Sequence, residues 1–137
     1  MRVTRVYRFA ASHRLHAASL SSDQNTELYG KCNNPYGHGH DYILHVSVTG
    51  EPDRRTGRVV DIAALDRYVH ERLLRLYDHS DLNLDVPDFA GVPTTENLAV
   101  DSAERLRQAW PFQGASLDRV FIQETDRNTI ELQLTKG

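Results

Sequence analysis

"HDYILHVSVT", residues His40–Thr49, alternates with a period of two, so that Tyr42, Leu44, Val46 and Val48 fall on one side. That period belongs to an extended strand with one buried face. Upstream, Val3 to Ser12 is rich in β-branched and aromatic residues, with Tyr7 and Phe9 two apart, and reads as a second strand. Between the two, Ala17 to Tyr36 carries Ser, Asp, Asn, Gly and Pro. It reads as a long loop, of a length usually kept for function. Downstream, "GEPDRRTG" makes a turn and "RVVD" a short extended piece. Asp61 is suited to cap a helix in which Ile62, Leu65, Val69, Leu73 and Leu76 recur at helical spacing, ending near Tyr77. Thr94 or Thr95 caps a second helix with Ala99, Ala103, Leu106 and Trp110 on one face, and Pro111 stops it. Leu117 to Glu124 and Thr129 to Leu134, joined by "TDRN", complete the pattern as two more strands.

The order strand, strand, helix, helix, strand, strand predicts an α+β fold: a four-stranded antiparallel sheet with two helices on one face, in one domain spanning 1–137. In the third strand Val120 and Ile122 point one way while Leu117 and Phe121 point the other. Both faces then need cover, and two helices supply only one. The sheets are therefore expected to meet other sheets, closing into a barrel on oligomerisation, which also removes exposed edges.

The net charge is −3, with no basic stripe, so nothing recommends nucleic acid or a membrane surface as a partner. No apolar run approaches the ~20 residues that span a bilayer. The opening "MRVTRVYRFAASHRL" lacks the apolar core of a signal peptide. A single cysteine cannot form an internal disulfide, which suits a reducing cytoplasm.

That cysteine stands in "GKCNNPYGHGHDY", Gly30 to Tyr42. His38 and His40 are two apart at the entry to a strand and so project to the same side, where two imidazoles can share one ion. Gly39 between them eases the backbone. A catalytic zinc needs a third protein ligand and an open position. His13, at the end of the first strand, is the choice, with His16 the competitor. Imidazole also suits copper, nickel and iron. His45, on the other face, and His70, mid-helix, read as structural or solvated.

Cys32 sits among Gly30, Lys31, Asn33 and Asn34, which is no core environment. A neighbouring cation and a nearby metal would favour its thiolate, so it reads as a reactive group facing the ion rather than a ligand. Asp78 and His79 follow the first helix. They fit either a protonated histidine complementing the helix dipole or a carboxylate that orients a proton carrier. Glu124 closes the third strand with the parity of Val120 and Ile122, so it is either solvated or directed into covered space.

Taken together, "FAASHRLH", "GKCNNPYGHGHDY", "LDRYV", "YDHSDLNLDVPDFA", "PTTENLAV" and "ETDRN" resemble the 6-pyruvoyltetrahydropterin synthase family of the tunnelling-fold class, over nearly the whole chain. The resemblance implies zinc on His13, His38 and His40. It implies Cys32 as proton acceptor, Asp78 and His79 as a catalytic relay, and Glu124 as pterin anchor, sometimes counted in the relay. Thr94, Thr95 and Glu96 would line the pterin pocket. The implied substrate is 7,8-dihydroneopterin triphosphate, and the implied assembly is a homohexamer of two stacked trimers with sites at subunit boundaries. No nucleotide cofactor is implied, and the chain has no Gly-rich dinucleotide fingerprint. Ala10 stands where the family commonly has Ser, and Asp41 where it often has Asn. A sister group, the 6-carboxytetrahydropterin synthases of queuosine biosynthesis, typically places three residues between the cysteine and the first histidine. Here there are five, Asn33 to Gly37, which is the pyruvoyl-type spacing. A pterin- or metal-binding protein without turnover is the third reading.

Overall fold

The computed structural model describes residues 1–134. Its strands are β1 (Arg2–His13), β2 (His38–Gly50), β3 (Ser80–Asp81), β4 (Ala115–Thr125) and β5 (Asn128–Gln133), arranged β3-β1-β2-β4-β5 in one sheet. The β1–β2, β2–β4 and β4–β5 pairs are antiparallel, as the alternation predicts. The two-residue β3 was not expected. It runs parallel to β1 beside Ala11 and Ser12, so the sheet is five-stranded and mixed.

Tyr42, Leu44, Val46 and Val48 are at most 1% exposed and form the floor of the core. Two helices cover them. The first, α2, spans 62–77 and is capped by the Asp61 carboxylate, which accepts from the Ala64 N–H at 3.1 Å. It is α-helical over Ile62–Val69, widens to a π turn over His70–Leu74, and tightens again over Arg75–Tyr77. The reason lies in the spacing of its fully buried residues, Leu65, Val69, Leu73 and Tyr77, which are four apart throughout. An ordinary helix would rotate that stripe away from the sheet, and one wide turn keeps it facing inward. The second, α3 (Thr95–Gln108), is capped by Thr94, whose hydroxyl accepts from the Asn97 N–H at 3.1 Å. It ends before Trp110, which was expected on its apolar face. Trp110 instead packs edge-on against Tyr68 and Phe112 and donates to the Ala115 carbonyl.

A bulge corrects the expected parity of β4. Leu117 pairs with Val48 and Val120 with Val46, leaving Asp118 as the additional residue. Leu117 therefore faces the helices together with Val120 and Ile122. Phe121 does face outward, its ring tilted against His45 with centroids 4.6 Å apart, in a row with the half-exposed Val6.

The stretch 17–36 is not a plain loop. It holds α1 (Ser22–Tyr29) and a 3-10 turn, Gly30–Asn33. Ser21 and Gln24 form a reciprocal capping box. The helix has no apolar stripe. Its one buried residue is Asn25, whose amide bonds Ala17, Leu20 and Ser21 backbone groups. Among the described residues no helix is long and apolar enough to cross a membrane.

Candidate metal centre and active site

The unbroken β1–β2 register places His13 directly opposite His38, and Ala11 opposite His40. Residues opposed across an antiparallel pair share a face, as do residues two apart in a strand. All three imidazoles therefore emerge on the helix-covered side at one end of the sheet. Their ring centroids lie 4.6–5.0 Å apart with planes 71–81° from one another, and one nitrogen from each falls within 4.8 Å of the others.

His13 is 1% exposed. Its Nδ1 lies 2.8 Å from the Pro93 carbonyl, which can only accept, so the proton sits on Nδ1 and Nε2 presents a lone pair. This is how a protein commonly sets the tautomer of a metal-binding histidine. Three buried nitrogens, Nε2 of His13, Nδ1 of His38 and Nε2 of His40, have no hydrogen-bond partner. Leaving such groups unsatisfied is costly, and a cation cures all three at once. Burial also lowers the pKa of His13 and of His38, which favours the neutral form that metals require. The residues present thus fit a metal ion. His16 stands outside the set, its Nδ1 instead 3.1 Å from the Asn33 amide.

The backbone freedom assigned to Gly39 belongs to Gly37. A side chain at Gly39 would meet only ordinary contact. Gly37 has φ +73°, and an added Cβ would lie 3.1 Å from the His13 carbonyl oxygen. Gly37→Ala should cost about 2 kcal/mol of stability, as left-handed strain at a non-glycine residue does. It should weaken metal binding as well, because His38 is the next residue. Urea unfolding and metal titration of the variant check both effects.

Glu124 is brought to the same place by a second bulge, between Gln123 and Thr125. Bulges re-aim side chains in this way beside functional sites. Its side chain is 15% exposed, with Oε1 3.9 Å from His40 Nε2, and its Oε2 accepts from the Thr95 hydroxyl. Thr94 is committed to the helix cap, and Glu96 is exposed. The Pro93 carbonyl and the Tyr42 hydroxyl, 3.3 Å from His13 Nδ1, are site groups that the sequence did not reveal.

Cys32 lies in the 3-10 turn, half-buried, as a free thiol outside the ligand set. Burial, and after it the charge of Glu124, raises its pKa. Lys31, expected to favour the thiolate, is exposed to solvent, which screens its charge.

Asp78 and His79 stand outside the three-histidine cluster, at the edge of β1. The Asp78 carboxylate accepts from the Ala10 N–H at 3.0 Å, and the His79 N–H donates to the Ala10 carbonyl at 2.6 Å. Their side chains are 3.7 Å apart, and that of His79 is 82% exposed. It borders an open cavity that Ala10, Ser12 and Asp41 line from the outward side of the β1–β2 pair and that His40 lines as well.

Comparison with known proteins agrees with this geometry. The family described as 6-pyruvoyl tetrahydropterin synthase matches residues 2–134. The 6-pyruvoyl tetrahydrobiopterin synthase of Poecilia reticulata is 47% identical over 130 residues, 93% of this chain and 86% of that protein. The Homo sapiens protein of the same name is 45% identical over 129 residues, 93% of this chain and 88% of its own length. The solved structure of Caenorhabditis elegans 6-pyruvoyl tetrahydropterin synthase superposes with a TM-score of 0.92 at 38% identity, covering 98% of this chain and 96% of that one. Matched over its described length in sequence and in fold, the chain belongs to the 6-pyruvoyl tetrahydropterin synthase family.

Proposed function

We propose that this chain is a zinc-dependent lyase that converts 7,8-dihydroneopterin triphosphate to 6-pyruvoyltetrahydropterin with release of triphosphate, in tetrahydrobiopterin formation in the cytoplasm. The observation that carries this reading is the convergence of three unpartnered, buried imidazole nitrogens, bordered by a carboxylate and accompanied by a thiol that is not among them. Three imidazole nitrogens are a donor set used by catalytic zinc, which keeps a further position open. Held by His13, His38 and His40, zinc supplies Lewis acidity toward the hydroxyls of the substrate side chain.

The remaining roles belong to the chain. Glu124 accepts from the amino group and ring N–H of the pterin, a fork of two charge-assisted hydrogen bonds. Thr95 fixes the rotamer of that carboxylate, and with Thr94 and Glu96 it forms the neighbouring wall. Cys32 takes the carbon-bound proton beside the substrate hydroxyls. Asp78 and His79 form the proton relay and act on the site of a neighbouring subunit, which their outward exposure supports. The assembly we propose is a homohexamer of stacked trimers, its sheets closing into a barrel over the outward row of Val6, His45 and Phe121.

Glu124→Gln should weaken binding of 7,8-dihydroneopterin roughly 10- to 100-fold, the worth of a hydrogen bond to a charged group. Zinc content should be unchanged. Calorimetry with pterin and metal analysis of the same sample decide it, and unchanged pterin affinity removes the anchoring role. The reaction itself is tested by incubating the zinc-loaded protein with 7,8-dihydroneopterin triphosphate and measuring product mass. A pyruvoyl pterin supports the proposal. Acetaldehyde with a carboxylated pterin assigns the chain to 6-carboxytetrahydropterin synthase chemistry, and no turnover leaves a binding protein.

A further inference from the structure

His16 is the conspicuous residue that neither the metal set nor the pterin contacts absorb. Its Nδ1 lies 3.1 Å from Asn33 Nδ2. The same Nδ2 donates to the Leu15 carbonyl at 2.8 Å, and a carbonyl can only accept, which identifies this atom as the amide nitrogen. His16 Nδ1 is therefore an acceptor, and the proton of the neutral ring sits on Nε2. Two further bonds run between the same segments. The Leu15 N–H donates to the Cys32 carbonyl at 2.7 Å, and Arg14 Nε donates to the Asn33 carbonyl at 3.1 Å. Arg14 is in turn gripped through its backbone by Asn83, which accepts from its N–H and donates to its carbonyl. Asn33 is 7% exposed, so its polar groups depend on these partners.

The three residues that follow His13 thus hold the two residues that carry and follow the thiol. We infer that His16, acting through Asn33, is a positioning residue that locks Cys32 at a fixed distance from the metal ligand His13. A 3-10 turn is short and poorly hydrogen-bonded on its own, so its geometry must be set from outside. The segment supplying that restraint leaves β1 directly from His13. The catalytic consequence rests on the role proposed above for Cys32, whereas the clamp itself does not.

The test compares His16→Phe, which keeps a ring of similar size without the acceptor, with His16→Asn, whose side-chain oxygen can replace Nδ1. The first measurement is the rate at which iodoacetamide alkylates Cys32, the one cysteine of the chain. H16F should accelerate alkylation severalfold by freeing the turn, and H16N should return it toward the unaltered rate. The second is steady-state kinetics with zinc content monitored. H16F should lower kcat on the order of 10- to 100-fold with KM little changed, because displacing a reacting group by about 1 Å costs up to about 100-fold. H16N should recover most of the loss, with zinc stoichiometry unchanged in both. Unaltered alkylation in H16F overturns the clamp whatever the enzyme does. Altered alkylation with unaltered kcat retains the clamp and overturns the role of Cys32 in turnover. Equal defects in H16F and H16N show that the acceptor atom is not what matters, and overturn the inference for His16.

Discussion

Cys32→Ala should lower turnover of 7,8-dihydroneopterin triphosphate roughly 1000-fold, within the range that a positioned general base contributes. Zinc binding and pterin affinity should be preserved. The asymmetry follows from where the thiol sits. It is outside the three-nitrogen set, so its removal deprives the metal of nothing. It is half-buried in a turn held by the Leu15 N–H and the Arg14 side chain, both donating to backbone carbonyls of the turn, so its removal also leaves the turn in place. Burial and the charge of Glu124 raise its pKa in the chain alone, and the positive charge of a bound ion acts in the opposite direction. A thiol near an ion but not bound to it is thereby given a proton affinity that depends on the loaded site. Metal analysis and pterin calorimetry beside the kinetic assay make the result readable. Retained turnover in the variant would leave the chain with no use for its only thiol, and would favour a binding protein or another base.

The second large effect is expected at the metal. His38→Ala should strip most of the bound zinc. The loss should go well beyond the roughly 10- to 100-fold fall that follows removal of an outer partner of a metal ligand. Two nitrogens then remain, His13 Nε2 and His40 Nε2, and neither has a substitute donor within the set. Glu124 Oε1 is an alternative, 3.9 Å from His40 Nε2, but its other oxygen is held by Thr95 and its position by the bulge. Dialysis against a chelator followed by metal analysis measures the effect. Stoichiometric zinc in the variant refutes the ligand assignment.

What was legible in the sequence was whatever repeats. The period of two in β2 gave a strand with the right inward residues, and continued upstream it put His38 and His40 on the same side as Tyr42. Where periodicity breaks, the sequence misleads. One additional residue at Asp118 returns Leu117 to the helix side, and the bulge at Glu124 turns that carboxylate toward His40, yet neither has a compositional mark. Helix α1 hides in a loop-like sequence because it has no apolar stripe to detect. Its signals are the Ser21–Gln24 capping box and a buried Asn25, both polar and both local. Strand β3 is too short to show any pattern. The Pro93 carbonyl that sets the His13 tautomer is a backbone atom, invisible in residue types by nature. The Asp78–His79 pair was legible as a pair, but its place along the edge of β1, bonded to the Ala10 backbone, is something only the register reveals.

The start of α3 touches both halves of the site. The Pro93 peptide grips one metal ligand, and two residues later the Thr95 hydroxyl grips Glu124. The interval between His13 and Glu124 is thus inherited from a stretch of covalent chain rather than negotiated by loops. This ruler cannot stretch without shifting His13 and Glu124 together.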